Sequence, residues 1–350
     1  MSQDGSNVDK KSAQHDRAIA AAVIGAMAVI GAALITVFLS RGGGSGANPA
    51  VGATSSQHTA DPHSLSPTPA PSSTGSVSTP SPVCASGSLQ LIGSTAFVPI
   101  AQEAASAYRQ ACPDATITVT GGDSAYGVTQ VRDAVASRSK SAGSMIAMYD
   151  GVSTDTAGLR PYPIGVLIFS VVAHTHLFPA SDITTGELRT IFVQLGEQDK
   201  VAVGRRAGSG SRKAFFANVL NPNPVPPPYT RNCPRPTGST FPHASCTEDS
   251  TADLLNFVNG TPNAIGYAEV YGPLTGYPQV SVIAIDNAMP TAENVRNRSY
   301  SFWTVEHLYA ATQPTTLAKD FLDFLPHYIE SNPAPDLIAC SDAPRLVADC

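Results

Sequence analysis

Three short segments of this chain place glycine and small hydroxyl residues directly before a predicted helix. They are GSTAF (Gly93–Phe97), GGDSAYG (Gly121–Gly127) and GRRAGSGSR (Gly204–Arg212). A helix N-terminus attracts anions, because it carries unpaired backbone N–H groups and the positive end of the helix dipole. Serine and glycine are also ordinary helix caps, so one such segment alone carries little information. Three of them, the last with Arg205, Arg206 and Arg212, predict a site for an oxyanion, which guanidinium groups bind in a bidentate way.

These segments lie within an alternation of predicted strands and helices. Apolar or alternating runs predict strands at SLQLIGS, TITVTG, SMIAMY, IGVLIFSVVAH, VAVGR, AIGYAEV and VSVIAID. Helical patterns follow most of them, and Thr184 with Glu187 has the spacing of a capping box. This order predicts an α/β fold with a largely parallel sheet covered by helices. The length of residues 84–350 favours two lobes over one.

The N-terminal part of the chain contains a long apolar run. Residues 18–39 include a single polar side chain, Thr36, and as a helix these 22 residues would span roughly 33 Å, enough to cross a bilayer. A cleaved signal peptide is the alternative, although the apolar cores of signal peptides are shorter. Three basic residues, Lys10, Lys11 and Arg17, precede the run, and only Arg41 follows it closely. We therefore expect a single-pass plasma-membrane protein with a cytoplasmic tail (1–17), a transmembrane helix (18–39) and an extracellular binding domain.

Proline is concentrated in two places. Residues 42–83 contain 7 Pro, 6 Gly, 10 Ser and 5 Thr with one charged residue, Asp61, so residues 40–83 are predicted to be a disordered linker. Residues 221–246 contain 8 Pro, which is typical either of a surface loop held by a disulfide or of a contact surface for a partner. The overall composition, 42% hydrophobic and 14% charged, excludes a wholly disordered chain. The net charge of −6 argues against nucleic-acid binding.

All six cysteines lie in residues 84–350, and none forms a Cys-x-x-Cys pair. An even number in an exported domain predicts disulfides, although free buried thiols are an alternative. Six cysteines allow 15 pairings. We favour the local pairing Cys84–Cys112, Cys233–Cys246 and Cys340–Cys350.

Six segments, taken in order along the chain, resemble the phosphate-binding proteins of ABC phosphate importers: GSTAF, GGDSAYG, SDITTGELRTIF, VGRRAGSGSRKAF, NAIGYAEVY and AIDNAMPTAENV. The resemblance covers roughly residues 86–330. It implies a type II periplasmic-binding-protein fold, in which two α/β lobes joined by a hinge enclose the anion. The hinge crossings are then expected near Pro163–Val166 and near Ala264–Tyr267. Lobe I would comprise about 84–165 and 265–350, and lobe II about 166–264.

The same resemblance implies which residues bind the anion. Each matches a residue of the three glycine-containing segments, and the set is Thr95, Ala96, Ser124, Arg205, Ser209, Gly210 and Ser211.

One position departs from the family pattern. The family has an acidic residue at the start of the segment that reads MIAMYDG here, where this chain has Met145. That carboxylate accepts a hydrogen bond from protonated phosphate, whereas sulfate has no such proton and is repelled. Asp123, beside Ser124, is a candidate for the missing acceptor, and a solvated helix-capping aspartate is the other interpretation.

The sequence therefore predicts a monomeric solute-binding protein that captures phosphate, or a similar oxyanion, for an ABC permease. The alternative is a membrane-tethered anion sensor or a cell-envelope interaction module with the same fold and no transport role. No cofactor and no metal is expected, although His174 and His176 could begin a metal site. Catalysis is not expected, because no Gly-x-Ser-x-Gly motif occurs and no histidine lies between Cys84 and Ser124, as a chymotrypsin-like order would need.

Overall fold

The computed structural model describes residues 84–177, 182–194, 199–220, 232–233, 245–269, 274, 276–343, 347 and 350. The predicted tail (1–17), transmembrane helix (18–39), linker (40–83) and most of the proline-rich insertion (221–246) lie outside these residues. Within the described part of the chain, no helix combines the length and the apolar character needed to cross a membrane.

The described residues contain twelve strands and seven α-helices. The strands are β1 (Gly87–Gly93), β2 (Ala115–Gly121), β3 (Met145–Asp150), β4 (Leu159–Ile168), β5 (Ser170–His174), β6 (Asp182–Ile183), β7 (Val201–Arg205), β8 (Cys246–Glu248), β9 (Ala264–Ala268), β10 (Val280–Ile285), β11 (Trp303–Ala311) and β12 (Leu337–Ala339). The helices are α1 (Val98–Ala111), α2 (Ser124–Ala136), α3 (Thr185–Arg189), α4 (Gly210–Ala214), α5 (Thr251–Asn259), α6 (Ala292–Arg296) and α7 (Thr316–Ser331). Helices α3 and α4 continue as π-helical turns, Thr190–Gln194 and Phe215–Val219.

The strands form two six-stranded mixed sheets. The first has the order β12–β4–β11–β3–β1–β2, and the second has the order β6–β10–β5–β9–β7–β8. Strand β1 pairs in parallel with β2 and β3, and β7 pairs in parallel with β8 and β9. Strands β11 and β5 are antiparallel to both of their neighbours. The predicted largely parallel sheet is therefore corrected to two mixed sheets.

The physical reason lies in the connections between strands. Neighbouring parallel strands need a crossover connection, which α1 and α2 provide between β1, β2 and β3. Strand β4 instead leads directly into β5, which belongs to the other sheet. The apolar run that predicts one strand at IGVLIFSVVAH is thus two strands, because both are buried and the pattern of hydrophobic residues does not change where the chain crosses.

The chain crosses between the sheets at two phenylalanines. Phe169 separates β4 from β5, and Phe302 precedes β11 on the return. The Phe169 N–H donates to the Phe302 carbonyl at 3.0 Å, and the two ring centroids lie 5.2 Å apart. The predicted crossings near Pro163–Val166 and Ala264–Tyr267 are corrected accordingly. Strand β4 stays in the first sheet to its end, and both β9 and β10 belong to the second.

Side-chain hydrogen bonds cap the first turns of α2, α3 and α4. Asp123 caps α2 by accepting from the Tyr126 N–H, and Ser209 caps α4 by accepting from the Arg212 N–H. The capping box predicted for Thr184 and Glu187 is present at the start of α3. Because α2 follows β2 and α4 follows β7, their N-termini lie beside the carboxyl ends of those strands.

The described residues contain three disulfides. They are Cys84–Cys112, Cys233–Cys246 and Cys340–Cys350, the local pairing that we favoured from the sequence. The first joins the residues before β1 to the end of α1, where Cys112 is buried. It therefore closes the first strand–helix unit of the fold.

Removing this disulfide is expected to destabilise the domain. The cross-link closes a loop with a sequence separation of 28, for which the chain-entropy relation gives a loss of roughly 3–4 kcal/mol in the free energy of unfolding. We expect this loss for the double substitution Cys84→Ala and Cys112→Ala, measured by urea unfolding of the folded domain. The control pair is Cys340→Ala and Cys350→Ala, whose separation of 10 predicts a smaller loss. An unchanged unfolding midpoint in the first variant would contradict this role.

Candidate functional site

Three loops converge on the carboxylate of Asp150, which ends β3. Ser94, directly after β1, donates its hydroxyl to one carboxylate oxygen of Asp150. Ser124, the first residue of α2, lies 3.4 Å from the other oxygen. From the second sheet, the Gly210 N–H at the start of α4 donates to the Ser124 Oγ at 3.2 Å. All four residues are buried, so this cluster joins the two sheets at the carboxyl ends of their strands.

Glycine is required at position 210. A Cβ atom there would lie 2.2 Å from the Asp150 carbonyl oxygen, which belongs to the backbone and cannot move aside easily. The absence of a side chain lets the N-terminus of α4 approach the end of β3. The Ser209 and Ser211 hydroxyls lie 2.8 Å apart at the same helix start, and both side chains are buried.

Arg205 places a buried positive charge beside this cluster. Its guanidinium donates to Thr95 Oγ1 at 2.9 Å and to Thr251 Oγ1 at 3.0 Å. It also donates to the carbonyls of Glu248 and Asp249, at 3.2 and 2.8 Å. Only 3% of Arg205 is exposed, and the planar guanidinium is held in one orientation by these four acceptors. A cation held this way is suited to binding an anion.

Behind Asp150 lies a second buried carboxyl group, that of Glu306. Glu306 on β11 is paired with Asp150 in the antiparallel register, and none of its surface is exposed. Burial and the neighbouring Asp150 carboxyl group raise the pKa of Glu306 well above its usual range. Burial also raises the pKa of Asp150, while Glu306, Ser94 and Arg205 favour its ionised form.

A third carboxyl group, that of Glu269, contacts the Arg205 side of the site. Its Oε2 accepts from Thr251 Oγ1 at 3.1 Å, and 4% of the residue is exposed. Burial raises the pKa of Glu269 to about 8, although Arg205 partly opposes this shift. Glu269 is therefore mainly uncharged at neutral pH.

The residues predicted from the sequence to bind an anion are brought together by the fold. The hydroxyls of Thr95 and Ser124 face Arg205 and Asp150, and Ser209, Gly210 and Ser211 form the start of α4. The Ala96 N–H donates to Ser94 Oγ at 3.1 Å, so Ala96 supports the first loop through Ser94.

The acceptor position is where the structure differs from the sequence prediction. Met145 is the first residue of β3 and packs against apolar side chains, whereas Asp150, at the opposite end of the same strand, points into the site. Asp123 is the helix cap of α2, with a 2.6 Å bond from the Tyr126 N–H. Asp150 is therefore a buried carboxyl group of the site that sequence reasoning missed, and it lies five residues after Met145 in the same segment.

Not all of the charged residues that the sequence singled out enter the site. Arg212 donates to the Arg205 carbonyl at 2.7 Å and supports the loop from behind. Arg206 is half exposed and forms an ion pair with Asp249. His174 accepts the His176 N–H at 3.1 Å through its Nδ1 atom. Among the described residues, no group of three potential metal ligands occurs.

The two sheets form two lobes, which the chain connects at Phe169 and Phe302. A family model described as a PBP superfamily domain matches residues 72–326, so the chain belongs to the PBP (periplasmic-binding-protein) superfamily. The superfamily match and the relative described next place it among solute-binding proteins, which are not enzymes.

Two known proteins are similar to this chain over most of its length. The chain is 29% identical over 250 residues to the phosphate-binding protein PstS of Bacillus subtilis (strain 168), covering 69% of this chain and 76% of that protein. It also matches a crystal structure, with bound phosphate, of a Clostridium perfringens protein described as a phosphate ABC transporter substrate-binding protein. That match has 24% identity and a TM-score of 0.56, and it covers 72% of this chain and 99% of the other. The structural match establishes a shared fold.

Proposed function

We propose that this chain binds inorganic phosphate between its two lobes. The observation that carries the proposal is the buried Asp150 carboxylate, which lies beside Arg205, the hydroxyls of Ser94 and Ser124, and the start of α4. Phosphate at neutral pH still bears a proton and can donate it to Asp150. Sulfate has no proton to donate, so the same carboxylate repels it. The 29% identity to a phosphate-binding protein supports this assignment.

The Asp150→Asn substitution tests this proposal. A hydrogen bond to a charged acceptor contributes about 1.5–3 kcal/mol. We therefore expect the Kd for phosphate to rise at least about tenfold, while sulfate binding is unchanged or improves. Isothermal titration of both anions at one ionic strength measures the two affinities. Asp123→Asn is the matched comparison, since this carboxylate caps α2, and it should keep the wild-type preference. Equal affinity of the wild-type domain for phosphate and sulfate would refute the proposal.

We further propose that the bound anion is delivered to an ABC permease at the plasma membrane. In this proposal, residues 18–39 anchor the chain and residues 40–83 tether an extracellular domain. A flexible chain of the tether's length has an end-to-end distance of roughly 35–40 Å, enough to reach a neighbouring permease. Crosslinking of the full-length chain in membrane vesicles tests this: recovery of a permease subunit supports delivery. Phosphate binding without phosphate uptake into permease-containing vesicles would favour the sensor alternative.

A further inference from the structure

The two lobes make a direct backbone contact between two of the glycine-containing loops that build the site. Gly208 lies in the loop between β7 and α4, in the lobe of the second sheet, and Ala125 lies in the first turn of α2, which packs on the first sheet. The Ala125 N–H donates to the Gly208 carbonyl at 3.1 Å. The first N–H groups of a helix have no acceptor within the helix, so the opposite lobe supplies the acceptor here.

Glycine is required at position 208 because of Asp123. A Cβ atom there would overlap with the Cγ atom and both oxygens of the Asp123 side chain, and these are the three non-hydrogen atoms nearest to it. Asp123 is not free to turn aside, because its carboxylate caps α2 by accepting from the Tyr126 N–H at 2.6 Å. A side chain at position 208 therefore clashes first with the opposite lobe.

An anion reaches the site from solvent only when the lobes separate. Arg205 belongs to the second lobe, Asp150 and Ser124 belong to the first, and all three are buried. The Arg205 guanidinium also donates to Thr95 Oγ1 of the first lobe at 2.9 Å. An anion held by both lobes leaves only after such contacts break. Its dissociation rate therefore depends on how stable the closed arrangement of the lobes is.

We infer that Gly208 is a positioning residue for anion binding: the absence of a side chain lets the lobes meet at Asp123 and Ala125, and this contact slows release of the bound anion. The inference rests on the proposed function, because it requires that phosphate binds between the lobes. Gly208 acts through the population of the closed arrangement. The apparent Kd rises in proportion as that arrangement becomes less populated.

The Gly208→Ala substitution tests the inference, with calorimetric titration for the Kd and a chase of radiolabelled phosphate for the release rate. We expect the Kd to rise at least about tenfold, mainly through faster release. Asp123→Gly removes the overlapping carboxylate at a cost to the helix of only a few tenths of a kcal/mol. Adding it to Gly208→Ala should therefore restore most of the lost affinity. Gly186→Ala is the matched control, because the atom nearest to a Cβ there is Thr184 Oγ1 at 3.8 Å.

Hydrogen exchange at the Ala125 amide tests the same contact in the unmodified chain. This N–H donates to the Gly208 carbonyl and has no acceptor within α2, so its protection reports on whether the lobes are together. Saturation with phosphate should slow its exchange by about tenfold or more. Unchanged exchange at Ala125 in the phosphate-saturated domain would overturn the inference, whether or not Gly208→Ala folds.

The outcomes separate the inference from the function on which it rests. Wild-type Kd and release rate in the folded Gly208→Ala variant overturn the inference and leave the proposed function intact. A raised Kd that Asp123→Gly does not restore also overturns it, because the loss would then arise away from the lobe contact. If phosphate does not bind the folded wild-type domain, the proposed function fails and the inference fails with it.

Discussion

Replacing Arg205 with alanine is expected to weaken phosphate binding by about a hundredfold to a thousandfold. The guanidinium is 3% exposed and is oriented by four hydrogen bonds, so no water can substitute for it without reorganising the site. Truncating one member of a buried, hydrogen-bonded charge pair costs about 2–5 kcal/mol. Titration calorimetry of phosphate against the purified domain measures this loss, and a melting curve establishes that the variant is folded.

The neighbouring residue Arg206 provides the matched control. Its side chain is half exposed and forms an ion pair with the Asp249 carboxylate, so Arg206→Ala should retain wild-type phosphate affinity. Arg205→Lys keeps the charge but not the planar fork, and it should restore only part of the lost affinity. Wild-type affinity in the folded Arg205→Ala variant would show that the anion binds elsewhere.

Replacing Glu269 with glutamine is expected to change how stability depends on pH. The pKa of Glu269 is raised from 4.5 to about 8 in the folded domain, mainly by burial. Between these values the folded state holds a proton that the unfolded state releases. The Glu269 contribution to stability is therefore complete below pH 4.5 and declines by about 1.4 kcal/mol per pH unit towards pH 8. Glutamine does not titrate and can still accept from Thr251, so the variant should gain stability relative to wild type as pH rises.

Urea unfolding at pH 5, 6, 7 and 8 in phosphate-free buffer measures this difference. Glu187→Gln is the control, because hydrogen bonds from Thr184 lower the pKa of Glu187 below 4.5, and its difference from wild type should therefore stay constant between pH 5 and pH 8. Its carboxylate stabilises the α3 cap above its unfolded pKa, and that contribution is lost as the pH falls. A constant difference between wild type and Glu269→Gln across this pH range would mean that Glu269 is ionised in the folded domain.

The contact of Glu187 could be predicted from the sequence, whereas the contact of Glu269 could not. Glu187 lies three residues after Thr184, and the capping-box spacing predicts both its position and its partner. Glu269 follows an apolar strand, and no polar residue beside it in the sequence indicates what its side chain contacts. Its contact with Thr251 joins residues 18 positions apart, which meet because α5 and β9 pack together.

The missed strand β11 had the greatest effect on the interpretation of the site. The segment SFWTVEHLY mixes polar and apolar residues without a regular period, so no strand is predicted there. In the structure it lies between β3 and β4 and is buried along most of its length, which brings Glu306 beside Asp150. Because β11 is buried between two neighbouring strands, it can contain an irregular mixture of polar and apolar residues that would be unusual in an exposed strand.

Local patterns were sufficient to place the strands that lead into the three loops, the cap at Thr184 and the loops that contain Ser94, Ser124 and Arg205. Each depends on residues close together in the chain, so spacing and residue type carry the information. The tertiary structure decided that Arg205 is buried and Arg206 half exposed, that the chain crosses at Phe169 and Phe302, and that the Asp150 carboxyl group is buried where three loops meet. These features depend on strand register and burial between distant segments: Asp150 and Glu306 are 156 residues apart, and only sheet pairing brings their carboxyl groups together.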